Sequence, residues 1–399
     1  MPNIRFLVLL LTFYAVSSTA QEYDYLFDFA SCDAREANNL LAPGLIIGDP
    51  KCVCGLENNS LELSGDDSVL LPEELKDLMK EDFTLEFYFL INEATTLTDI
   101  FSIRSSCTLD SMMSITYIPQ YNRILFEAAE APSRYHSIFG NLNPDLCWHE
   151  IAITKQGLEY SLYLDGQYVN TFLAALNIPL GSNAIPSFAN SPCIVVDQER
   201  LNGRIDEFKF YRRALSTLEI KEKYLYPDQI ITRDTTIFKG DAIDIKVGAS
   251  CYDDFNWSPG NELVDDQLLE PTSKNEETVT FTLTSYTGSC VANDEVTIYV
   301  IDENDIDCND LKLPSAFTPN GDGLNDTYGI SNTFVIDSLE YFEIYDRWGS
   351  RVFNTQQINQ QWDGSFSGQP VNPGMFLYKI KFTCKGEQHI AVDNFSVLR

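Results

Sequence analysis

Apolar residues recur at every second position in short runs along most of the chain. In Phe83–Phe89, Phe83, Leu85, Phe87 and Phe89 share one parity, while Thr84, Glu86 and Tyr88 share the other. Successive side chains of a strand point to opposite faces, so this run predicts a strand with an apolar and a polar face. Trp148–Ile153 predicts another. Leu162–Val169 predicts a hairpin, with Asp165-Gly166 supplying the positive φ of its turn. The same alternation returns near the C-terminus, where Phe342 pairs in parity with Ile344 and Asp346, and Phe376 with Tyr378 and Ile380. Helix signals are sparse. Pro72-Glu73-Glu74 predicts one short helix, since Pro suits the first turn and acids suit the positive end of the helix dipole. Ser216 and Glu219 form a capping box before Ile220 and Tyr224. Many short strands with no long helices between them predict an all-β chain of antiparallel sandwiches.

Turn clusters and composition place the boundaries. Arg5, the apolar run Phe6–Val16 and the small residues Ser18-Thr19-Ala20 predict a signal peptide over 1–20, with Gln21 as the mature N-terminus. No later apolar run is long enough to span a bilayer. The remaining length exceeds one small core and divides into three predicted modules. The first covers 21–226 and the second 227–303. An acidic linker, 304–312, leads to a turn-rich third module at 313–399, where Pro319-Asn320-Gly321-Asp322-Gly323, Asp363-Gly364 and Asn372-Pro373-Gly374 break the strands.

Three resemblances follow from these residues. The ordered strings FTPNGDGLND, RWG, WDG and PGMFLY make 313–399 resemble the gliding-motility-associated C-terminal domain. That resemblance implies sorting through type IX secretion, and so a protein secreted or held on the outer surface of a Gram-negative bacterium. SLELSGDDSVLL, FTLEFYF, WHEIAITKQGLEYSLYLDGQYV and LNGRIDEFKFYRRALSTLEIKEKY make 21–226 resemble the laminin-G-like, concanavalin A-like family. This implies a two-sheet jelly roll that binds glycans or proteins, often with calcium. The segment 227–303 resembles Ig- or PKD-like spacer modules. The expected fold is therefore a jelly-roll sandwich, an Ig/PKD-like sandwich and a small C-terminal sandwich.

Charge and cysteine content narrow the partners. The formal net charge is -32 over 399 residues, which argues against nucleic acid and anionic lipid, since both need basic patches. The 10 cysteines are an even number in an exported chain and read as disulfides. Cys251 and Cys290 flank Trp257, so the Ig-like resemblance implies that they pair across the spacer. Cys308 is expected to bond Cys384. Cys32, Cys52, Cys54, Cys107, Cys147 and Cys193 are then expected to pair within the jelly roll, in an order that spacing leaves open.

Candidate chemistry is confined to carboxylates. Asp206 shares parity with Phe208 and Phe210, which predicts that it points inward with them. A buried carboxylate needs a cation or several donors. Calcium held with Asp66 and Asp67 is one answer; Arg204 or backbone N–H groups are the other. In the tail, Asn320, Asp322 and Asp326 partly match a calcium loop, against the alternative of a turn held by side-chain-to-backbone bonds. No paired-carboxylate string of a jelly-roll glycosidase and no nucleophile elbow occurs. The expected function is non-enzymatic binding of a polysaccharide or surface glycoprotein. A polysaccharide hydrolase or lyase, and a structural part of the cell surface or gliding machinery, are the alternatives.

Overall fold

The computed structural model describes residues 23–249, 251–321 and 324–398. The predicted signal peptide lies outside them. The chain is all-β, and it parts into two compact units, Met1–Tyr299 and Val300–Arg399.

The first unit opens with β1 (Tyr25–Phe27), β2 (Leu45–Ile47), β3 (Lys51–Cys54), β4 (Asn59–Ser64), β5 (Ser68–Leu70), α1 (Glu74–Leu78), β6 (Phe83–Glu93), β7 (Leu97–Arg104) and β8 (Met112–Ile118). It continues through β9 (Arg123–Ala131), β10 (Arg134–Asn141), β11 (Trp148–Gln156), β12 (Glu159–Leu164), β13 (Gln167–Leu173), β14 (Ile185–Phe188), β15 (Gln198–Arg200), β16 (Asn202–Tyr211) and α2 (Thr217–Lys223). Two sheets form. One runs β13-β12-β11-β6-β16-β4-β3, with β1 beside β16. The other runs β10-β9-β8-β7-β14-β5-β2, with β15 beside β7. They are called here the first and second sheets. Phe83, Leu85, Phe87 and Phe89 meet Phe101, Ile115, Phe126, Phe188 and Phe208 between the sheets, a jelly-roll core. Asp165 and Gly166 both take positive φ at the predicted hairpin turn. Ser216 and Glu219 close the predicted capping box at the start of α2.

The spacer residues add β17 (Thr235–Phe238), β18 (Ile243–Asp244), β19 (Asp254–Ser258), β20 (Thr272–Ser273), β21 (Val279–Thr287) and β22 (Cys290–Ile301). Four of these form the sheet β17-β22-β21-β19, packed on Trp257, Phe281 and Val296. The spacer shares one compact unit with the jelly roll, and its cysteines explain why. Cys251 is bonded to Cys54 and Cys290 to Cys147. The expected Cys251–Cys290 bridge is thus corrected, as is the expectation that Cys54 and Cys147 pair inside the jelly roll. Cys290 opens β22 opposite Thr287, at the hairpin end that reaches the jelly roll, where Ser289 Oγ donates to Asn92 O. Cys251 precedes β19 at the same end, and its N–H donates to Gly55 O. Both cysteines therefore face the jelly roll rather than each other. Within the jelly roll, Cys32 is bonded to Cys52 and Cys107 to Cys193.

The second unit holds β23 (Ala316–Phe317), β24 (Ser338–Tyr345), β25 (Arg351–Thr355), β26 (Ser365–Phe366), β27 (Gln369–Pro370), β28 (Gly374–Cys384) and β29 (Glu387–Val397). Its main sheet runs β23-β29-β28-β24-β25. Phe317, Tyr328, Phe342, Trp362, Phe376 and Phe395 fill its core, and Cys308 is bonded to Cys384. The two tryptophans of the tail motifs differ. Trp362 is buried and donates through Nε1 to Ser365 O, whereas Trp348 stands out into solvent.

Candidate functional site

The carboxylates singled out from the sequence do not converge. Asp67 Oδ1 accepts from Asp49 N at 2.8 Å, and its Oδ2 accepts from Ser64 N at 2.9 Å and Ser64 Oγ at 2.8 Å. Burial alone would raise its pKa, but these donors outweigh burial and hold it below the ordinary carboxylate value. Asp66 beside it is exposed. Asp206 is buried, with Oδ2 accepting from Leu56 N at 2.8 Å and Oδ1 from Glu207 N at 2.9 Å. Burial pushes its pKa up to about 8. Asn202 lies opposite Ser64, so Asp206 stands four residues further along β16, about 13 Å at the rise of a strand. Both carboxylates are occupied by N–H or O–H donors, and among the described residues no group of three His, Cys, Asp or Glu could hold a metal. The calcium set of Asp66, Asp67 and Asp206 does not fit.

Asp206 also faces the wrong way for that reading. The β16–β6 register shifts between Asp206 and Lys209, and Glu207 takes φ 50°. One extra residue at such a bulge flips the alternation. Ile205, Phe208 and Phe210 therefore enter the inter-sheet core, while Arg204 and Asp206 lie on the outer face of the first sheet. In the tail loop, Asp326 Oδ1 accepts from Asn320 N at 2.9 Å and Gly321 N at 2.7 Å. A carboxylate folding the backbone around itself in this way is the turn arrangement. Asp322 lies outside the described residues.

The outer face of the first sheet is covered. Leu56, Tyr88, Leu90, Trp148 and Tyr224 form an apolar cluster that includes Ala292 of the spacer, and Ala152, Tyr163 and Tyr211 form another with Leu215 and Ile220. Charged groups are sealed among them. Glu86 is engaged by two neighbours on β16. Tyr211 Oη donates to its Oε2 at 3.4 Å, and Lys209 Nζ lies 3.9 Å from its Oε1 and 3.1 Å from Glu207. Glu150 accepts from Gly166 N at 2.9 Å and from Tyr88 Oη at 3.3 Å. Tyr88 Oη in turn accepts from Leu225 N at 2.9 Å. Burial, with Glu86 nearby, pushes the Glu150 carboxyl well above its usual range, and burial also raises Glu86. Two raised carboxyls on one face are a pairing that general acid–base chemistry uses. Here both side chains are completely buried.

The outer face of the second sheet differs. Register aligns Ser187 with Ser102, Ser102 with Ser114, Ser114 with Glu127 and Glu127 with Ser137. These five residues make one polar row across β14, β7, β8, β9 and β10. It is about 19 Å long at the spacing of neighbouring strands. Half of it, Ser187, Ser102 and Ser114, is buried, and a strap at 191–193 is anchored to Asp99 of β7 and to Cys107. Ser191 N donates to Asp99 Oδ2 at 2.8 Å, and Cys193 is tied to Cys107 just beyond Arg104. Burial beneath this strap pushes the Asp99 carboxyl up to about 7.

The other half is open. Glu127 Oε1 accepts from Tyr135 Oη at 2.7 Å, and its Oε2 accepts from Ser114 Oγ at 3.3 Å. Ser137, Tyr135 and Phe139 are exposed around it, and Tyr121 is exposed further along the face beside Arg123. The guanidinium of Arg123 lies 4.5 Å from the Tyr121 ring centroid and 4.4 Å from that of Phe139. A carboxylate with neighbouring hydroxyls offers hydrogen bonds to a polyhydroxylated ligand, and exposed rings offer it apolar faces. None of these residues carries a sequence motif. The signal is the strand register, which brings Ser114, Glu127 and Ser137 into line across three strands. A polar cleft of about 470 Å³ also opens between the first sheet and the spacer hairpin, lined by Asp49, Lys51, Glu62, Asn92 and Gly288 among others, but no aromatic ring lines it.

Comparison with known families agrees with this architecture. Residues 63–221 match the concanavalin A-like lectin/glucanases superfamily, and residues 311–394 match the type IX secretion signal domain. The latter indicates export to the cell surface or beyond, and no helix among the described residues is long and apolar enough to cross a membrane. No curated protein matches the chain. Solved structures with similar folds include domain 4 of AbnA, an extracellular arabinanase of family GH43 from Geobacillus stearothermophilus, in complex with arabinotriose. It is 15% identical, with a TM-score of 0.41, over 51% of this chain and 98% of that one. The CBM40 of the Ruminococcus gnavus IT-sialidase, bound to α2,3-sialyllactose, is 12% identical, with a TM-score of 0.34, over 45% and 98%. The binding domain of botulinum neurotoxin DC, in complex with rat synaptotagmin II, is 11% identical, with a TM-score of 0.41, over 95% of each chain. At these values the likeness concerns the fold alone.

Proposed function

We propose that this is an exported, non-enzymatic binding protein whose open β9–β10 face takes a polysaccharide or the glycan of a surface glycoprotein. The observation that supports the reading is the arrangement of Glu127. Its carboxylate is oriented by Tyr135 and Ser114, and Tyr135, Ser137 and Phe139 are exposed beside it on the outer face of the second sheet. The roles divide by module. The jelly roll makes the contact, the spacer braces its opposite side, and the tail directs passage through the type IX machinery, with the outer surface of a Gram-negative bacterium or the medium as destination.

A glycan array probed with the mature chain, with calcium and with chelator, tests the binding. Glycan binding that survives the chelator and falls at least tenfold on Glu127→Ala is expected. Absence of binding to any glycan, or binding indifferent to Glu127→Ala and Phe139→Ala together, would overturn the reading. The same samples assayed for reducing-sugar release separate binding from turnover. Turnover abolished by one Asp or Glu change would replace the proposal with an enzyme. Export is tested by removing 313–399, which should leave the rest folded and held within the cell envelope.

A further inference from the structure

We infer that the ligand of this face carries an anionic group, a carboxylate or a sulfate, and that Arg123 receives it. The inference rests on the reading that the open face binds a glycan, and it names the class of that glycan. Arg123 opens β9 and shares parity with Leu125 and Glu127, so it stands on the same outer face. Tyr121 and Phe139 lie against its guanidinium. Among the described residues no carboxylate pairs with it, and its Nε has no hydrogen-bond partner. Several other arginines of this acidic chain do have acids: Arg204 has Glu62 and Asp253, Arg213 has Glu219, and Arg351 has Glu343.

The physical consequence is specific. Two rings displace water from around the guanidinium and restrict its orientation, which lowers the ordering cost of a new pair. The N–H edge of a guanidinium matches the two oxygens of a carboxylate or sulfate. The nearest acid on the strand, Glu127, is four residues along, about 13 Å, and is already engaged by Tyr135 and Ser114. It does not neutralise Arg123. It would repel a second anionic group placed beside it, and would accept from neutral hydroxyls instead. A strand-long site with a cation at one end and an acceptor carboxylate at the other selects an oligosaccharide in which an acidic sugar is followed by hydroxyl-rich units. An entirely neutral chain leaves Arg123 without an anion.

The test uses the mature full chain and calorimetric titration with three probes: an oligogalacturonate, the same oligomer after carboxyl reduction to the neutral sugar, and a sulfated oligosaccharide of similar length. An anionic probe should bind at least tenfold more tightly than the reduced oligomer, with affinity falling as salt rises. Preference for the uronate identifies carboxylate as the group, and preference for the sulfated probe identifies sulfate. Arg123→Gln should remove the preference while leaving the melting temperature unchanged, and Arg123→Lys should keep part of it by retaining the charge without the fork. Equal affinity for reduced and unreduced oligomers, unaffected by Arg123→Gln, would overturn the inference. If Glu127→Ala still abolished that binding, the parent reading would stand. Failure to bind any of the three probes or any arrayed glycan would remove both.

Discussion

The two outer faces of the jelly roll begin from the same alternation and end in opposite states. On the first sheet, polar positions such as Glu86 and Glu150 are buried beneath α2, the residues that follow it and the spacer, and Asp206 beneath the turn at Leu56. On the second sheet, Glu127, Tyr135 and Ser137 remain at the surface beyond the edge of the strap. A polar residue on an outward strand position is thus not yet a surface residue. What lies over it decides whether it must be paired internally or is left for a ligand. On the covered face burial favours internal pairing, and the Tyr88–Glu150, Leu225–Tyr88 and Lys209–Glu207 contacts supply much of it, although Trp148 Nε1 has no hydrogen-bond partner among the described residues. On the open face, Arg123 is left without an acid.

If the covered face depends on the spacer, separating the two should cost most. The Cys147–Cys290 bond joins residues 143 apart in sequence. In the chain-entropy model its loss costs about 4–5 kcal/mol, a fall of roughly 10 °C in a unit of this size. Replacing both cysteines by Ala and following thermal unfolding checks this. A melting temperature within about 2 °C of the parent would mean that the spacer adds nothing to the covered face. Next in size is Tyr88→Phe. It removes the acceptor of Leu225 N and a donor to Glu150 in a fully buried setting, for about 1–3 kcal/mol.

How much of this contrast could be read in advance depended on sequence distance. The capping box at Ser216–Glu219, the Asp165-Gly166 turn and the alternation of Phe83–Phe89 are local, and all were legible. The burial of Thr84, Glu86 and Tyr88 was not, because their cover comes from residues more than a hundred positions later. The inward reading of Asp206 failed on one backbone dihedral, at Glu207. The pairing of Cys251 and Cys290 failed because the cysteines that close a module's surface need not belong to that module. The serine row and Arg123 were invisible for another reason: they are defined by register between strands, and alternation states only which face a residue takes.

The contrast also has a pH signature. Asp206 and Asp99 have folded pKa values near 8 and 7, raised by burial from the ordinary 3.8. Between about pH 4 and 8 the native state holds protons that the unfolded chain has released. Stability contributed by these groups is therefore complete below about pH 4 and is lost as pH rises through 7 and 8. The first unit should melt at a higher temperature at pH 5 than at pH 8.5, and Asp206→Asn should flatten part of that slope. Glu219 moves in the opposite direction, held at about 2 by its bond to Arg213. Its contribution is lost only as pH falls from about 4.5 through 2, so it does not disturb the upper window. Parallel slopes for the parent and Asp206→Asn would show that the carboxyl is not held neutral by burial.

The smallest expected change in stability makes the sharpest test of the comparison, because it repeats a substitution already made on the covered face. Tyr135→Phe deletes a hydroxyl, as Tyr88→Phe does, and again the lost partner is a glutamate. Tyr135 is 38% exposed, whereas Tyr88 is fully buried, so water can replace the Tyr135 bond to Glu127. The stability change should stay under about 1 kcal/mol. The effect should appear in binding instead. Without Tyr135 Oη, the Glu127 carboxylate loses its 2.7 Å donor and keeps only Ser114. It would then rotate among several orientations, and fixing it would add to the cost of binding. Glycan affinity is expected to drop several-fold at an unchanged melting temperature, while Tyr88→Phe lowers the melting temperature with affinity per folded molecule preserved. If the two substitutions shifted stability and affinity in the same proportion, the two faces would not be the distinct environments argued here.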